Sequence, residues 1–248
     1  MSRVKFMNTE IDNLSMSEAL QEIEKKIREN KCGYVVTPNV DHIVKLEHGG
    51  EICDVYKNAA MILADGKPLI WISKLYQRPI KEKISGSDLF PLVCEMAAEK
   101  GFKMFFLGAA EGVAAKAAGN LMEKYPGLQV VGTYSPPIGF EKSKEEMEKI
   151  EKQIKKVKPD ILIVGLGCPK QEKFMYHNSE RLGVPLSFGL GASLDFEAGN
   201  IKRAPRWMAD HGLEWLFRIT QDPKRLAKRY LVDDIAILPL IFKYWPKG

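Results

Sequence analysis

Short, continuous apolar runs alternate with helical segments along most of this 248-residue chain, and this alternation restricts its fold more than any other feature. Strands without a polar side belong in a sheet that is covered on both faces. The clearest runs are residues 33–36, 61–64, 103–107, 128–131, 160–164 and 185–188. The pattern predicts an α/β fold with a mostly parallel, Rossmann-like sheet flanked by helices.

Helix signals lie between these runs. Ser15 and Glu18 form a capping-box pattern that opens an amphipathic helix to about residue 30. Ser87 is expected to cap a helix that ends near Lys100, and Pro169 stands at the first turn of another helix. We see no internal repeat, so residues 1–200 are predicted to form one α/β unit, large enough to be the catalytic core of an enzyme.

The four cysteines form no C-x-x-C pair, which favours a reducing compartment over a disulfide framework. The first ten residues lack an apolar signal segment, and no apolar stretch reaches the ~20 residues that span a bilayer. We therefore expect a cytoplasmic protein that is soluble or peripheral at the inner face of the cell membrane.

The net charge of +5 lies entirely in residues 201–248, which hold ten Lys/Arg and five Asp/Glu. This region is predicted to be a basic, aromatic, helical C-terminal appendage. Its apolar run, residues 235–242, is followed by Tyr244 and Trp245, as in interfacial membrane anchors. The alternative is a helix packed on the core or on a second copy, with self-association in solution.

Small polar and glycine residues follow the predicted strands, at the edge where α/β sheets bind ligands. They are Thr37, Asn39, Asp65, Gly108, Tyr134, Gly165, Gly167 and Gly189. The glycine turns can expose backbone N–H groups to a diphosphate, or can simply be tight turns. Thr37, Asn39 and Asp41 suit a sugar, although Asn39 or Asp41 can instead cap a helix. Asp65 can accept a proton from a hydroxyl or cap the following helix.

Other chemistries find less support. The four histidines show no paired ligand spacing, so no metal site is predicted. Asp195 and Glu197 form an acidic pair that can hold a magnesium-diphosphate, but such pairs are more often surface or capping groups. Cys168 has no evident histidine partner, and we interpret it as a small residue in a turn. The basic tail carries no nucleic-acid motif, so nucleic acid is not an expected partner.

Taken in order, a set of motifs resembles the WecG/TagA/CpsF glycosyltransferase family over nearly the whole chain. The motifs begin at Thr37 (TPNVDH), Ala64 (ADGKP), Gly86 (GSDL), Phe106 (FLGA), Gly165 (GLGCPKQE), Gly189 (GLGASLDFEAG), Arg203 (RAPRW) and Gly212 (GLEWLFR). Each motif is weak alone, but the ordered set is specific.

The resemblance implies transfer of N-acetylmannosamine from UDP to undecaprenyl-diphosphate-linked N-acetylglucosamine, with a β-1,4 linkage and inversion, for teichoic acid linkage units. It also implies catalysis without a metal or other cofactor. Asp65 matches the proposed base of the family, Thr37 and Asn39 match its sugar pocket, and Gln171 in the G-x-G-x-P-x-Q-E motif lies beside the diphosphate.

The resemblance extends the candidate substrate-binding set. It comprises Asp41, Lys83, Gly108, Tyr134, Gly165, Gly167, Pro169, Gln171, Glu172, Asp195, Arg203, Arg206, Arg218 and Arg225. Lys83 stands where the family pattern leads us to expect arginine. A lysine at this position lacks the bidentate hydrogen-bonding geometry of an arginine. The four arginines come from the appendage, which the family is thought to close over its active site at the membrane.

Three alternatives stay open at this stage. A related enzyme could transfer the uronic acid of N-acetylmannosamine in surface polysaccharide synthesis, or another hexose. A nucleotide-dependent oxidoreductase would need a full dinucleotide fingerprint, which the chain lacks. A non-enzymatic, membrane-binding nucleotide module would leave the Asp65 and Gln171 motifs unexplained.

Overall fold

Six parallel strands form the central sheet of the structure, a computed structural model that describes residues 2–205, 207–208 and 211–246. The strands are β3 (Gly33–Val36), β4 (Met61–Ile62), β5 (Lys103–Gly108), β6 (Gln129–Tyr134), β7 (Ile161–Gly165) and β8 (Leu186–Gly189). Their order across the sheet is β4-β3-β8-β7-β5-β6. The predicted parallel α/β fold is confirmed.

Both faces of the sheet are buried, as the continuous apolar runs require. Neighbouring residues of one strand join opposite cores: Val35 and Ile163 pack in one apolar cluster, and Val36 and Val164 pack in the other. Because successive strand residues point to opposite faces, this division needs apolar residues at every position.

Helices cover the two faces. They are α1 (Met16–Glu29), α2 (Val40–Glu47), α3 (Glu51–Lys57), α4 (Lys67–Leu75), α5 (Gly86–Lys100), α6 (Val113–Lys124), α7 (Lys144–Val157), α8 (Lys170–Leu182) and α9 (Ser193–Glu197). The predicted capping box of α1 is present, since Ser15 accepts from the Glu18 N–H and Glu18 accepts from the Ser15 N–H. The predicted cap of α5 is wrong: Ser85 caps the helix, two residues before Ser87.

An antiparallel hairpin precedes the sheet and was not predicted. It consists of β1 (Arg3–Phe6) and β2 (Thr9–Asp12). The buried Asp12 side chain accepts hydrogen bonds from Arg3 Nε at 2.9 Å and from the Ile62 N–H at 2.8 Å. The hairpin is thereby fixed to the β4 edge of the sheet.

The C-terminal region is helical, as predicted. It contains α10 (Glu214–Gln221), α11 (Pro223–Lys228), a π-helical turn (Arg229–Asp233), a 3-10 turn (Asp234–Ala236) and α12 (Ile237–Lys243). We call residues 213–246 the tail. In the described part of the chain, no helix is long and apolar enough to cross a membrane.

The tail packs on the core. Ile237 and Leu240 of α12 are buried in the same apolar cluster as α2. The Tyr244 hydroxyl donates to Glu47 Oε2 at 2.8 Å, and the Tyr76 hydroxyl donates to the Ile241 carbonyl at 2.9 Å. These contacts hold the end of the tail against the C-terminal ends of α2 and α4.

Candidate active site

A cleft of about 620 Å³ lies beyond the carboxyl ends of β3, β4, β7 and β8, and the tail contributes to its wall. This is the edge at which parallel α/β sheets bind ligands. The structure brings nine of the sequence-predicted residues into the lining of this cleft: Thr37, Asn39, Asp41, Asp65, Lys83, Gly167, Gln171, Gly189 and Arg218.

Asp65 follows β4 and reaches the cleft with a partly buried side chain. Its backbone N–H donates to the Pro38 carbonyl at 2.8 Å, which joins the segments that follow β3 and β4. The helix α4 begins after Gly66 without a side-chain cap. The Asp65 carboxylate therefore does not cap the following helix and is free to act in the cleft.

The surroundings of Asp65 set its acidity. Burial and, next, the carboxylate of Glu214 in the tail raise the pKa of Asp65, while Lys83, Arg218 and His42 lower it, and the result is a pKa of about 6. A carboxyl group with such a pKa is mostly ionised at neutral pH and is a stronger base than an exposed aspartate.

Asn39 is both a helix cap and a cleft residue. Its side-chain oxygen accepts from the His42 N–H at 3.4 Å at the start of α2, lies 2.8 Å from His42 Nδ1, and accepts from Arg229 Nη2 at 2.9 Å. Because three donors surround Oδ1, the Asn39 NH2 group is the part left to face a ligand. Thr37 is buried nearby, only 8% exposed.

Asp41 neutralises two cations of the pocket. Its carboxylate accepts a hydrogen bond from Lys45 and lies 3.8 Å from Arg229 Nη2. Burial raises the pKa of Asp41, but the hydrogen bond from Lys45 and the charge of Arg229 outweigh that effect and lower it overall. Asp41, Lys45 and Arg229 thus form a closed ionic group beside Asn39.

A second buried polar group lies below Asn39. His42 Nε2 is 3.4 Å from Glu172 Oε1, and both residues are buried. Burial lowers the pKa of His42, but hydrogen bonds with Cys168 and Glu172 outweigh it and raise the pKa above its usual value. Glu172, predicted to bind substrate, contacts the substrate cleft through His42 and Gln171 instead of lining it.

Gln171 ties two glycine turns together. Its side-chain oxygen accepts from the Gly167 N–H at 3.2 Å and from the Gly191 N–H at 3.0 Å. A Cβ atom at Gly189 would lie 3.0 Å from Gln171 Nε2, so the last residue of β8 has to be small. Gln171 therefore fixes the turns after β7 and β8, whose backbone borders the cleft.

Lys83 and Arg203 meet at one carboxylate. Lys83 Nζ donates to Asp88 Oδ2 at 2.7 Å, and Arg203 donates to Asp88 Oδ1. Burial raises the pKa of Asp88, but Lys83, Ser85 and Arg203 lower it overall to about 2. Lys83 lines the cleft, whereas Arg203 is outside the described lining.

The tail supplies cleft residues that were not selected from the sequence. They are Glu214, Trp215, Arg229, Tyr230 and Asp234. Arg218, which was selected, lies 5.9 Å above the ring of Phe196. Within the part of the chain that the structure describes, no carboxylate pairs with Arg218, so its charge is available to an anionic ligand. Arg206 and the side chain of Arg225 lie outside the described residues.

Several predicted ligand residues lie away from the lining. Gly108 packs on Gly165, where an added Cβ would lie 2.5 Å from the Gly165 carbonyl oxygen, so both glycines allow β5 and β7 to approach. Tyr134, at the end of β6, donates to Glu146 Oε2 at 2.6 Å. Pro169 immediately precedes α8, and Asp195 lies in α9. None of these five borders the described cleft.

Among the described residues, one group has ligand atoms close enough for a metal ion: Asp41, His42 and Cys168. The acidic pair Asp195 and Glu197 is not part of it. No ligand spacing in the sequence indicates this group, because Cys168 comes from the turn after β7 and the other two residues from α2.

Comparison with known proteins agrees with this geometry. A sequence model described as "Glycosyl transferase WecG/TagA/CpsF family" matches residues 4–248. Proteins named N-acetylglucosaminyldiphosphoundecaprenol N-acetyl-beta-D-mannosaminyltransferase are similar to the chain. The protein of Bacillus subtilis strain 168 is 29% identical over 92% of this chain and 87% of its own length. That of Bacillus spizizenii is 32% identical over 79% and 74%, and that of Staphylococcus aureus strain MW2 is 27% identical over 92% and 88%.

Proposed function

The chain belongs to the WecG/TagA/CpsF family of glycosyltransferases, and we propose that it transfers N-acetylmannosamine from UDP to N-acetylglucosamine on undecaprenyl diphosphate. The linkage formed is β-1,4, with inversion at the anomeric carbon, and the product serves wall teichoic acid linkage units. The observation that carries the proposal is a carboxylate, Asp65, facing a cleft that also holds Arg218, which forms no ion pair with the described residues.

The reaction needs a base for the acceptor hydroxyl. Asp65 takes the proton of that hydroxyl while its oxygen bonds to C1 of the sugar, and the bond from C1 to the diphosphate breaks with its electron pair leaving on UDP. A pKa of about 6 keeps most of the Asp65 carboxylate ionised at pH 7.

The departing UDP needs positive charge and N–H donors. Arg218 has no carboxylate partner in the described structure, and Lys83 lies at the same cleft with one partner, Asp88. The Gly167 turn also borders the cleft just before the start of α8, where the helix dipole favours an anion. Together these groups can stabilise the diphosphate without a metal ion.

The pocket charge favours a neutral sugar. Arg229 contacts Asn39, and both Arg229 and Lys45 pair with Asp41. A uronic acid carboxylate would have to displace Asp41 from one of them. The Asn39 NH2 group can instead donate to an uncharged acceptor, such as the carbonyl of an acetamido group.

The test is UDP release from UDP-N-acetylmannosamine, with a short-chain lipid-diphosphate-N-acetylglucosamine acceptor and EDTA present. We expect release by the wild type, a loss of at least about 100-fold in Asp65→Ala, and full activity in Asp54→Asn, which changes an exposed carboxylate of α3. The uronic acid donor should be used poorly. Equal activity in Asp65→Ala and the wild type would refute the assignment of the base.

We also propose that the tail holds the enzyme against the inner face of the membrane. Leu231, Ile235, Leu238, Phe242 and Trp245 are exposed and recur at helical spacing. We call these residues the apolar stripe. Three of them also border the cleft, so the stripe leads from the cleft mouth along the tail. A lipid-linked acceptor could therefore keep its chain in the membrane while its sugar reaches Asp65.

Vesicle co-sedimentation tests this docking. The wild type should bind vesicles that contain anionic phosphatidylglycerol, and Leu238→Glu/Phe242→Glu should bind at least about tenfold more weakly, because two exposed apolar side chains are replaced by carboxylates that the anionic lipids repel. Ile138→Glu, at a fully exposed apolar residue outside the tail, is the control. If the double variant instead converts a dimer to a monomer and vesicle binding is unchanged, a second copy covers the stripe.

A further inference from the structure

A group of metal-ligand side chains lies in the cleft beside the sugar-binding residues. Asp41, His42 and Cys168 each offer one ligand atom, and these atoms lie within 4.8 Å of one another. All three residues border the cleft, so an ion from solvent can reach them. Nothing in the transfer reaction derived above uses the Cys168 thiol.

A buried carboxylate stands next to this group, against His42. Glu172 is only 1% exposed, its Oε1 lies 3.4 Å from His42 Nε2, and its Oε2 has no hydrogen-bond partner in the described structure. A buried carboxylate oxygen without a partner is costly, and a cation would satisfy it. This oxygen is the observation that distinguishes the group from a chance cluster.

Outer contacts orient the ligands as they do in protein zinc sites. His42 Nδ1 lies 2.8 Å from Asn39 Oδ1, which leaves Nε2 for a metal. Gln171 Nε2 donates to Glu172 Oε1 at 2.8 Å and holds the carboxylate in place. The ligand atoms are therefore held by neighbours that do not themselves bind the ion.

We propose that Cys168, His42 and Asp41 form a zinc-binding site, with its fourth position open to the cleft, at which Zn²⁺ inhibits the enzyme. Thiolate, imidazole and carboxylate are the ligands that Zn²⁺ takes in proteins. On binding, the Cys168 thiol and any protonated His42 release their protons to solvent. Lys45 and Arg229 contact Asp41 and oppose the ion, so the site binds zinc reversibly and does not hold a structural metal.

The position of the site determines its effect. An ion bound there would take ligand atoms from His42, which orients Asn39, and from Asp41, which compensates the charge of Arg229. The ion would also occupy the part of the cleft that receives the sugar. Zinc should therefore compete with the donor. This effect on catalysis rests on the proposed function, whereas the binding of the ion does not.

Cobalt replaces zinc as a spectroscopic probe, because a thiolate bound to Co²⁺ gives a charge-transfer band in the near ultraviolet. The full-length wild type should show this band, Cys168→Ser should lose it, and Cys32→Ser, at an exposed cysteine, should keep it. Calorimetric titration with Zn²⁺ should give at least tenfold weaker binding for His42→Gln. A missing band in the wild type, or a band that persists in Cys168→Ser, would overturn the site.

Kinetics then test the inhibition separately. Added Zn²⁺ should raise the donor KM and leave kcat unchanged in the wild type, and Cys168→Ser should resist it. Inhibition that lowers kcat alone, or that is equal in Cys168→Ser, would overturn the competitive role. If the transferase assay gives no activity at all, the cobalt band still decides whether the metal site exists, so the two proposals fail independently.

Discussion

The raised pKa of Asp65 can be tested in two assays, one of activity and one of stability. Burial, with Glu214 as the next cause, raises its pKa from 3.8 to about 6. Because the base works as the carboxylate, kcat/KM should follow the ionised fraction. With a pKa of about 6 that fraction is about one tenth at pH 5 and about nine tenths at pH 7, a roughly ninefold rise. An ordinary aspartate would give almost no change over this range.

The same shift affects stability. The folded state binds the Asp65 proton more tightly than the unfolded state, so its stabilising contribution is present below about pH 3.8 and is lost as the pH rises through about 6. A shift of about two units corresponds to at most about 3 kcal/mol, and partial exposure reduces it to the order of 1–2 kcal/mol. Asp65→Asn should therefore be more stable than the wild type at pH 8, but not at pH 4.

Both effects are measured with the same protein samples. UDP release at low donor concentration between pH 5 and 8 gives kcat/KM, and urea denaturation at pH 4 and 8 gives the free energies of unfolding. Glu214→Gln is the matched variant: removing its charge should move the acid limb of the wild-type profile to lower pH. A flat profile from pH 5 to 7, together with no stabilisation of Asp65→Asn at pH 8, would refute the reasoning.

Three other predictions concern the contacts around the cleft. Asn39→Asp keeps the oxygen that Arg229 contacts but removes the NH2 donors, so the donor KM should rise about tenfold to 100-fold while the urea midpoint changes little. Gln171→Leu leaves the Gly167 and Gly191 N–H groups without their acceptor, and should cost on the order of 1–3 kcal/mol in urea denaturation. Arg229→Met should release the tail from α2, and limited proteolysis should then cut the tail faster than the core; unchanged cleavage would contradict this.

The sequence predicted the sheet well because its signals are local. Apart from Asp160, the runs 33–36 and 160–164 contain residues that suit a strand buried on both faces, and they match β3 and β7 closely. The hairpin of β1 and β2 escaped prediction because its strands are short and partly polar, and Asp12 fixes it through a contact with Ile62 that is distant in sequence. At α5, Ser85 and Ser87 are equally suitable caps by type, and only the packed structure selects Ser85.

The candidate site was predictable where its residues follow strands. Thr37, Asn39 and Asp65 stand at strand ends, and topology alone brings those ends together. Gly108 and Gly165 look like ligand turns for the same reason, but the structure uses them for close strand packing. A glycine that a ligand needs and one that a neighbouring strand needs give the same sequence signal.

The groups that tune the base could not be predicted, because they meet only through the packing of the tail. Lys83 and His42 come from the core, while Glu214 and Arg218 come from the tail, and all four act on the pKa of Asp65. The two carried by the tail act in opposite directions, so displacing the tail removes both an acidic and a basic influence. Displacing the tail would therefore change the charge at the proposed diphosphate site, through Arg218, more than it would change the pKa of Asp65. We infer that a loosened tail should lower kcat while the acid limb of the pH profile moves little.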